Sequence, residues 1–210
     1  MIAQNNDLPG EQKRPHFFYG YIIVASSFVL MLLTFGINYS FGVFLGPLLQ
    51  EFSSTTAATS GVFSILTIIS GFLGIFAGKL NDAIGPRILS IVTGLSMAIG
   101  FALMSLVTTI WQTYLIYGLL ISMGIGSVWP ILMPTISRWF VLRRGLMVGI
   151  VTAGTGIGTA VISLLADYLI TAYDWRVAYA VIGIGTLLIV VVASLLLKKS
   201  PAEIGLLPYG

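Results

Sequence analysis

The chain has 210 residues, of which 57% are hydrophobic and 8% charged, and its formal net charge is +3. Soluble domains carry roughly 25% charged residues, so this chain lacks the polar surface to face water on all sides. Ten Lys and Arg scattered along it do not form a nucleic-acid surface, and the lack of cysteine excludes disulfides and thiolate metal sites.

Residues 1–17 are polar, contain the single histidine, His16, and have no signal-peptide core, so they are expected to form a cytoplasmic tail. A helix needs about 20 apolar residues to cross a hydrocarbon layer of about 30 Å. Runs near 19–49, 57–78, 88–107, 111–137, 145–170 and 177–197 satisfy this, giving a six-helix transmembrane bundle over 18–197. The runs are continuous, where barrel strands would alternate, so helices are expected. The connectors are short, and 198–210 reads as the start of a cytoplasmic central loop.

Basic residues rarely cross a membrane, and they set its orientation. Lys13, Arg14, Lys79, Arg87, Arg138, Arg143, Arg144, Lys198 and Lys199 fall on one side, and only Arg176 on the other. Nine against one places both ends in the cytoplasm, in an inner or plasma membrane.

The first and fourth spans resemble each other at an offset of 88 residues (124 − 36). Gly36-Ile37 aligns with Gly124-Ile125 and Phe41 with Trp129, and helix-weakening Gly or Pro falls in register twice. Gly61 and Thr67 find Gly149 and Thr155 at the same offset. Three helices per unit invert successive copies, so the expected fold is all-α with a 3+3 inverted repeat, an arrangement found in secondary transporters. Thr34, Asn38, Phe41 and Leu45 form one helical stripe, matched by Ser122, Gly126, Trp129 and Met133. An amide in lipid is costly unless it meets protein or water. The stripe is therefore expected to face inwards, with Thr34, Asn38, Phe41, Ser122, Gly126 and Trp129 as candidates for a substrate path; Asn38 bonding a neighbouring helix is the other reading.

Gly74 and Gly78, and Gly145, Gly149, Gly154 and Gly158, have the small-xxx-small spacing that lets helix backbones approach. Gly154-Thr155-Gly156-Ile157-Gly158 resembles a nucleotide loop only superficially, because no strand precedes it. Asp167, an acidic side chain inside a span, sits near the outer rim; it reads as solvated there, or as a proton or cation site.

Between the second and third spans runs Gly78-Lys79-Leu80-Asn81-Asp82-Ala83-Ile84-Gly85-Pro86-Arg87. It resembles the signature loop of the major facilitator superfamily, with Pro86 in place of the first basic residue. Phe17-Phe18-Tyr19-Gly20-Tyr21, Arg138-Trp139-Phe140-Val141-Leu142-Arg143-Arg144-Gly145-Leu146 and Tyr173-Asp174-Trp175-Arg176 are similar to bacterial members of its monocarboxylate and oxalate/formate antiporter branch. So is the closing run Ser200 to Pro208.

The resemblance implies the N-terminal six-helix half of a carrier working by alternating access, with Gly78, Asp82, Gly85 and Arg87 as a gating loop. It implies a small organic anion as substrate, with or without a coupled proton or counter-anion, and a second six-helix half as partner within the bilayer. No Lys or Arg lies near the centre of any span, so the counter-charge for an anion is expected from that second half. Carriage of another solute class stays open, and a six-helix channel is the more distant reading. Nothing in the residues calls for a cofactor, a metal or an enzymatic reaction.

Overall fold

The computed structural model describes residues 18–210, so the expected tail 1–17, with His16, lies outside the described residues. Six long helices make up the described residues: α1 Gly20–Glu51, α2 Thr56–Ile84, α3 Pro86–Leu106, α4 Ile110–Trp139, α5 Arg144–Ala172 and α6 Trp175–Leu195. All six are long and apolar enough to cross a bilayer. The 32 residues of α1 span about 48 Å at 1.5 Å per residue, more than the hydrocarbon layer requires.

The short connectors place turn chemistry at helix ends. The Thr55 side chain accepts from the Ala58 N–H and caps α2, and that of Asp174 accepts from the Arg176 N–H and caps α6. Gln112 Oε1 accepts from the main-chain N–H groups of Thr108 at 2.8 Å and Thr109 at 3.3 Å, closing the start of α4. Between α2 and α3 a single residue, Gly85, makes the reversal at φ 86°, a conformation that a side chain would oppose, and Pro86 opens α3.

The helices pack chiefly as α1 on α5, α2 on α4 and α3 on α6. If α1, α2 and α3 are exchanged with α4, α5 and α6, the pair α1–α5 becomes α4–α2 and α3–α6 maps onto itself. The packing therefore has the two-fold symmetry of a 3+3 inverted repeat.

Close backbone approach shows the same symmetry. A Cβ on Gly36 would lie 2.7 Å from the Gly158 carbonyl oxygen, and one on Gly154 would lie 2.8 Å from that of Phe28. A Cβ on Gly158 would collide with the Leu32 carbonyl. Across the other pair, a Cβ on Gly74 would lie 3.0 Å from the Gly126 carbonyl oxygen, and one on Gly126 would collide with the Ser70 carbonyl.

Two expectations are corrected by this geometry. Ser70 and Gly74 relate to Gly158 and Ile162 by 88, but the α1 residue against the latter is Gly36 and the α4 residue against the former is Gly126, which is 126 − 36 = 90. Gly126 thus takes the place of Gly36 and not of Asn38, and the π-helical turn Ile116–Ile121 in α4 accounts for one of the two extra residues. Gly145 and Gly149 meet nothing within 4 Å, so they do not pack beside Gly154 and Gly158. Five residues of helix, from 149 to 154, rotate a side chain by about 140°, which carries Gly149 off the packed face.

The segment after α6 folds back on the bundle. It forms a short 3₁₀ turn, Pro201–Ile204, and the Trp139 indole N–H donates to the Lys198 carbonyl at 3.0 Å. Further on, the Tyr209 N–H donates to the Trp139 carbonyl at 2.9 Å. Phe18 packs against Trp139, Phe140 and Tyr209 with ring centroids 5.6–5.9 Å apart.

Gly158→Leu should overpack the α1–α5 contact and lower stability by about 1–3 kcal/mol. Gly149→Leu, placed in open space, should leave it unchanged. Thermal scans of both variants in detergent check this, and equal losses would overturn the packing assignment.

Candidate substrate path and gating loop

The stripe read from the sequence on α1 points mostly into the bundle. Thr34, Asn38 and Phe41 are buried. Thr34 borders a small pocket with Ser90, Thr93 and Ser127, while Phe41 stacks on Phe63 and meets the edge of Tyr117. On α4, Ser122 is buried and its hydroxyl donates to the Gly118 carbonyl at 2.5 Å. Gly126 lies against α2. Trp129 alone of the six candidates is exposed, at 42%. The other five are covered within the bundle or packed against a neighbouring helix.

The open side of α1 carries Ala25, Tyr39, Gly42 and Gly46. Trp129 reaches it, meeting the edge of Phe35 at 6.3 Å, and Phe35 stacks on Tyr39 at 6.2 Å. These three rings form an aromatic wall across α1 and α4, and sequence reading missed Phe35 and Tyr39. It followed polarity, yet several Ser and Thr hydroxyls of the interior turn back on carbonyls of their own helices, as at Ser40, Thr93, Ser127 and Thr135, while those of Ser27, Thr113 and Ser194 have no partner among the described residues. Asn38 has no such route, and its Oδ1 is buried without a partner among the described residues. At about 100° per residue it lies roughly 60° around α1 from Phe35, closer to the wall than Thr34 or Phe41.

The loop between α2 and α3 is organised by two prolines of α4. Pro134 has no N–H for the Pro130 carbonyl four residues back, and Pro130 has none for that of Gly126. Helix α2 meets both. Asn81 Nδ2 donates to the Pro130 carbonyl at 3.2 Å, and Gly74 brings its backbone up to the Gly126 carbonyl. The role of Asn81 was hidden in the sequence because its partner is 49 residues away.

With α2 held on α4, Asp82 faces the end of α4, and its Oδ1 accepts from Arg138 Nη2 at 2.8 Å. Lys199 Nζ donates to the Asp82 main-chain carbonyl at 2.7 Å. The expected carboxylate is thus in an ion pair, but with Arg138 and not with Arg87, which the Gly85 turn carries into the first turn of α3. Gly78 lies over Pro130. A carboxylate near the C-terminus of α2 opposes the helix dipole, whereas Arg138 in the last turn of α4 suits it. The Asp82 side chain is 69% exposed, so the pair contributes at most about 1 kcal/mol to stability.

A second ion pair closes the opposite end. Arg176 Nη2 donates to Glu51 Oε1 at 2.8 Å, and Nη1 donates to the carbonyls of Ser105 and Val107 at 3.0 and 2.8 Å. One guanidinium thereby ties the ends of α1 and α3 to the start of α6.

Comparison with known proteins agrees with this architecture. Monocarboxylate transporter 13 of Rattus norvegicus is 30% identical over 185 residues, 88% of this chain and 43% of that protein. Monocarboxylate transporter 14 of Homo sapiens is 29% identical over 185 residues, 88% and 36% of the two chains. The riboflavin transporter RibJ of Trypanosoma brucei brucei is 30% identical over 170 residues, 79% and 31%. The chain spans less than half the length of these relatives. They are eukaryotic, where the sequence had pointed to bacterial members and oxalate:formate antiporters. The family model of the Major Facilitator Superfamily matches residues 27–208, and this multi-pass membrane chain belongs to that superfamily.

Proposed function

We propose that the chain supplies the N-terminal six-helix half of a carrier that moves small organic anions such as monocarboxylates by alternating access, with both ends in the cytoplasm. The observation that carries this reading is the open face of α1 and α4. There an aromatic wall of Phe35, Tyr39 and Trp129 stands beside Asn38, a buried amide with unused hydrogen-bonding capacity. A non-spanning partner would have no use for such a face, whereas a second half would close it into a path. The names of two relatives support the anion class. Every Lys and Arg of the described helices stands at or near a helix end, so the second half is assigned the counter-charge. Coupling to a proton or counter-anion belongs to the same proposal.

A second substrate class is favoured by one observation. The wall offers three stacked or edge-on rings, which suit a flat heteroaromatic solute, and a relative of equal identity is named for riboflavin. Competition between lactate, pyruvate and riboflavin during uptake separates the two readings.

In a full-length carrier, Trp129→Ala should raise the KM for the transported solute about fivefold, from the loss of roughly 1 kcal/mol of aromatic contact. Val192→Ala, at an exposed site on α6, should leave it unchanged. The 210-residue chain alone, reconstituted as a monomer in liposomes, should show no saturable uptake. An unchanged KM in Trp129→Ala removes the wall from the path, and saturable uptake by the monomer refutes the half-carrier reading.

Asp82 and Arg138 are proposed as the working pair of the gate, with Gly85 setting the turn and Arg87 outside the pair. Asp82→Arg should lower uptake at least about tenfold while changing stability by no more than about 1 kcal/mol, because the pair is exposed. The swap Asp82→Arg with Arg138→Asp should recover part of the rate. Wild-type uptake in Asp82→Arg would remove the gating role.

A further inference from the structure

Phe140, Val141, Leu142 and Arg143 join α4 to α5. Phe140 is buried, but Val141 and Leu142 are 62% and 60% exposed, and Leu207, two residues before Tyr209, is 72% exposed. The main chain imposes this. The N–H groups of Val141 and Leu142 both donate to the Tyr209 carbonyl, at 3.1 and 3.0 Å, while the Tyr209 N–H donates to the Trp139 carbonyl. The Tyr209 ring is packed against Phe18 and Phe140. An elbow tied at three points cannot fold its two apolar side chains inwards. Arg143 follows at φ 61°, a left-handed conformation that few residues with a side chain adopt, and turns the chain into α5.

Arg143 and Arg144 are exposed and belong to no ion pair among the described residues. Among the described residues, the carboxylates at this end are engaged elsewhere: Asp82 with Arg138, and Glu203 with the Lys199 main-chain N–H. Seven described basic residues (Lys79, Arg87, Arg138, Arg143, Arg144, Lys198 and Lys199) stand here against those two acids.

We propose that this elbow is a binding surface for anionic lipid headgroups. Val141, Leu142 and Leu207 enter the boundary between headgroups and acyl chains, and the two guanidinium groups hold the phosphate. Exposed apolar side chains beside basic ones gain both from burial at the interface and from the negative potential of an anionic leaflet. A small soluble anion would meet no enclosing wall among such exposed residues. The placement in the cytoplasmic leaflet rests on the orientation proposed above.

Native mass spectrometry of the purified chain in neutral detergent, titrated with phosphatidylglycerol or phosphatidylcholine, tests this without reference to orientation or transport. Phosphatidylglycerol should bind preferentially. Arg143→Ala and Arg144→Ala should each weaken it about fivefold, the factor equivalent to ~1 kcal/mol per basic residue at an anionic surface. Lys79→Ala with Arg87→Ala should leave it unchanged, and inorganic phosphate should not compete. The pair Arg143→Lys and Arg144→Lys, which keeps the charge and the fold, should retain the lipid preference.

Equal binding of the two lipids, an equal loss in the Lys79/Arg87 variant, full competition by inorganic phosphate, or loss of the preference in the lysine pair would overturn the proposal. Labelling a cysteine at Leu142 in intact cells with an impermeant reagent tests the orientation by itself. Labelling there, with lipid preference intact, would reverse the orientation and leave the lipid surface standing.

Discussion

Two helices surrounded by lipid gain little by hiding apolar surface from each other, because the lipid is as apolar as they are. They hold together where backbones come close enough for dispersion and polar contact. In this protein those places are the crossings of α1 with α5 and of α2 with α4, where Gly36, Gly154 and Gly158, and then Gly74 and Gly126, admit a facing carbonyl. The rest of the architecture follows from these two crossings. They define the two-fold symmetry, leave α3 and α6 to pack on each other, and turn one side of α1 and α4 away from the bundle. That side holds the aromatic wall.

The polar groups of the interior show what such packing permits. Polar groups inside hydrocarbon are costly unless satisfied within the protein, and several serines and threonines bond back to carbonyls of their own helices. The prolines of α4 break that economy and free two carbonyls. Helix α2 answers with a glycine at one and Asn81 at the other, so a structural need fixes the spacing of the loop that carries Asp82. The alternating access proposed for the carrier requires an element with two arrangements. An exposed ion pair of small stability, mounted on a firmly held crossing, suits that task better than a buried one, which would be costly to open.

Much of this was legible in the residues. Continuous apolar runs give the six helices. The loop from Gly78 to Arg87 gives the superfamily. The inverted repeat was visible, but its register slipped by two in α4, because a π turn leaves no mark on hydrophobic spacing. Facing was read less well. Thr34, Asn38 and Phe41 were grouped with Trp129 by period and polarity, yet interior polarity here mostly serves local hydrogen bonding and not solute contact. Asp82 was found and its partner was not, since Arg138 is 56 residues away and reaches it only through the α2–α4 crossing. Gly149 shares the spacing of Gly154 and Gly158 without sharing their face.

The central claim is that the wall side of α1 and α4 borders water while the neighbouring stripe of α1 is sealed inside the bundle. Single cysteines at Phe35, Tyr39 and Gly42, at Phe41 and Phe44, and at Leu188 and Val192 test it directly. The measurement is the rate of reaction with a membrane-impermeant maleimide in a full-length carrier in membranes. The account predicts reaction at the first three positions, slowed by transported solute, and none at the other four. Reaction at Phe41 as fast as at Tyr39, or a Tyr39 position as inert as Leu188, would contradict it.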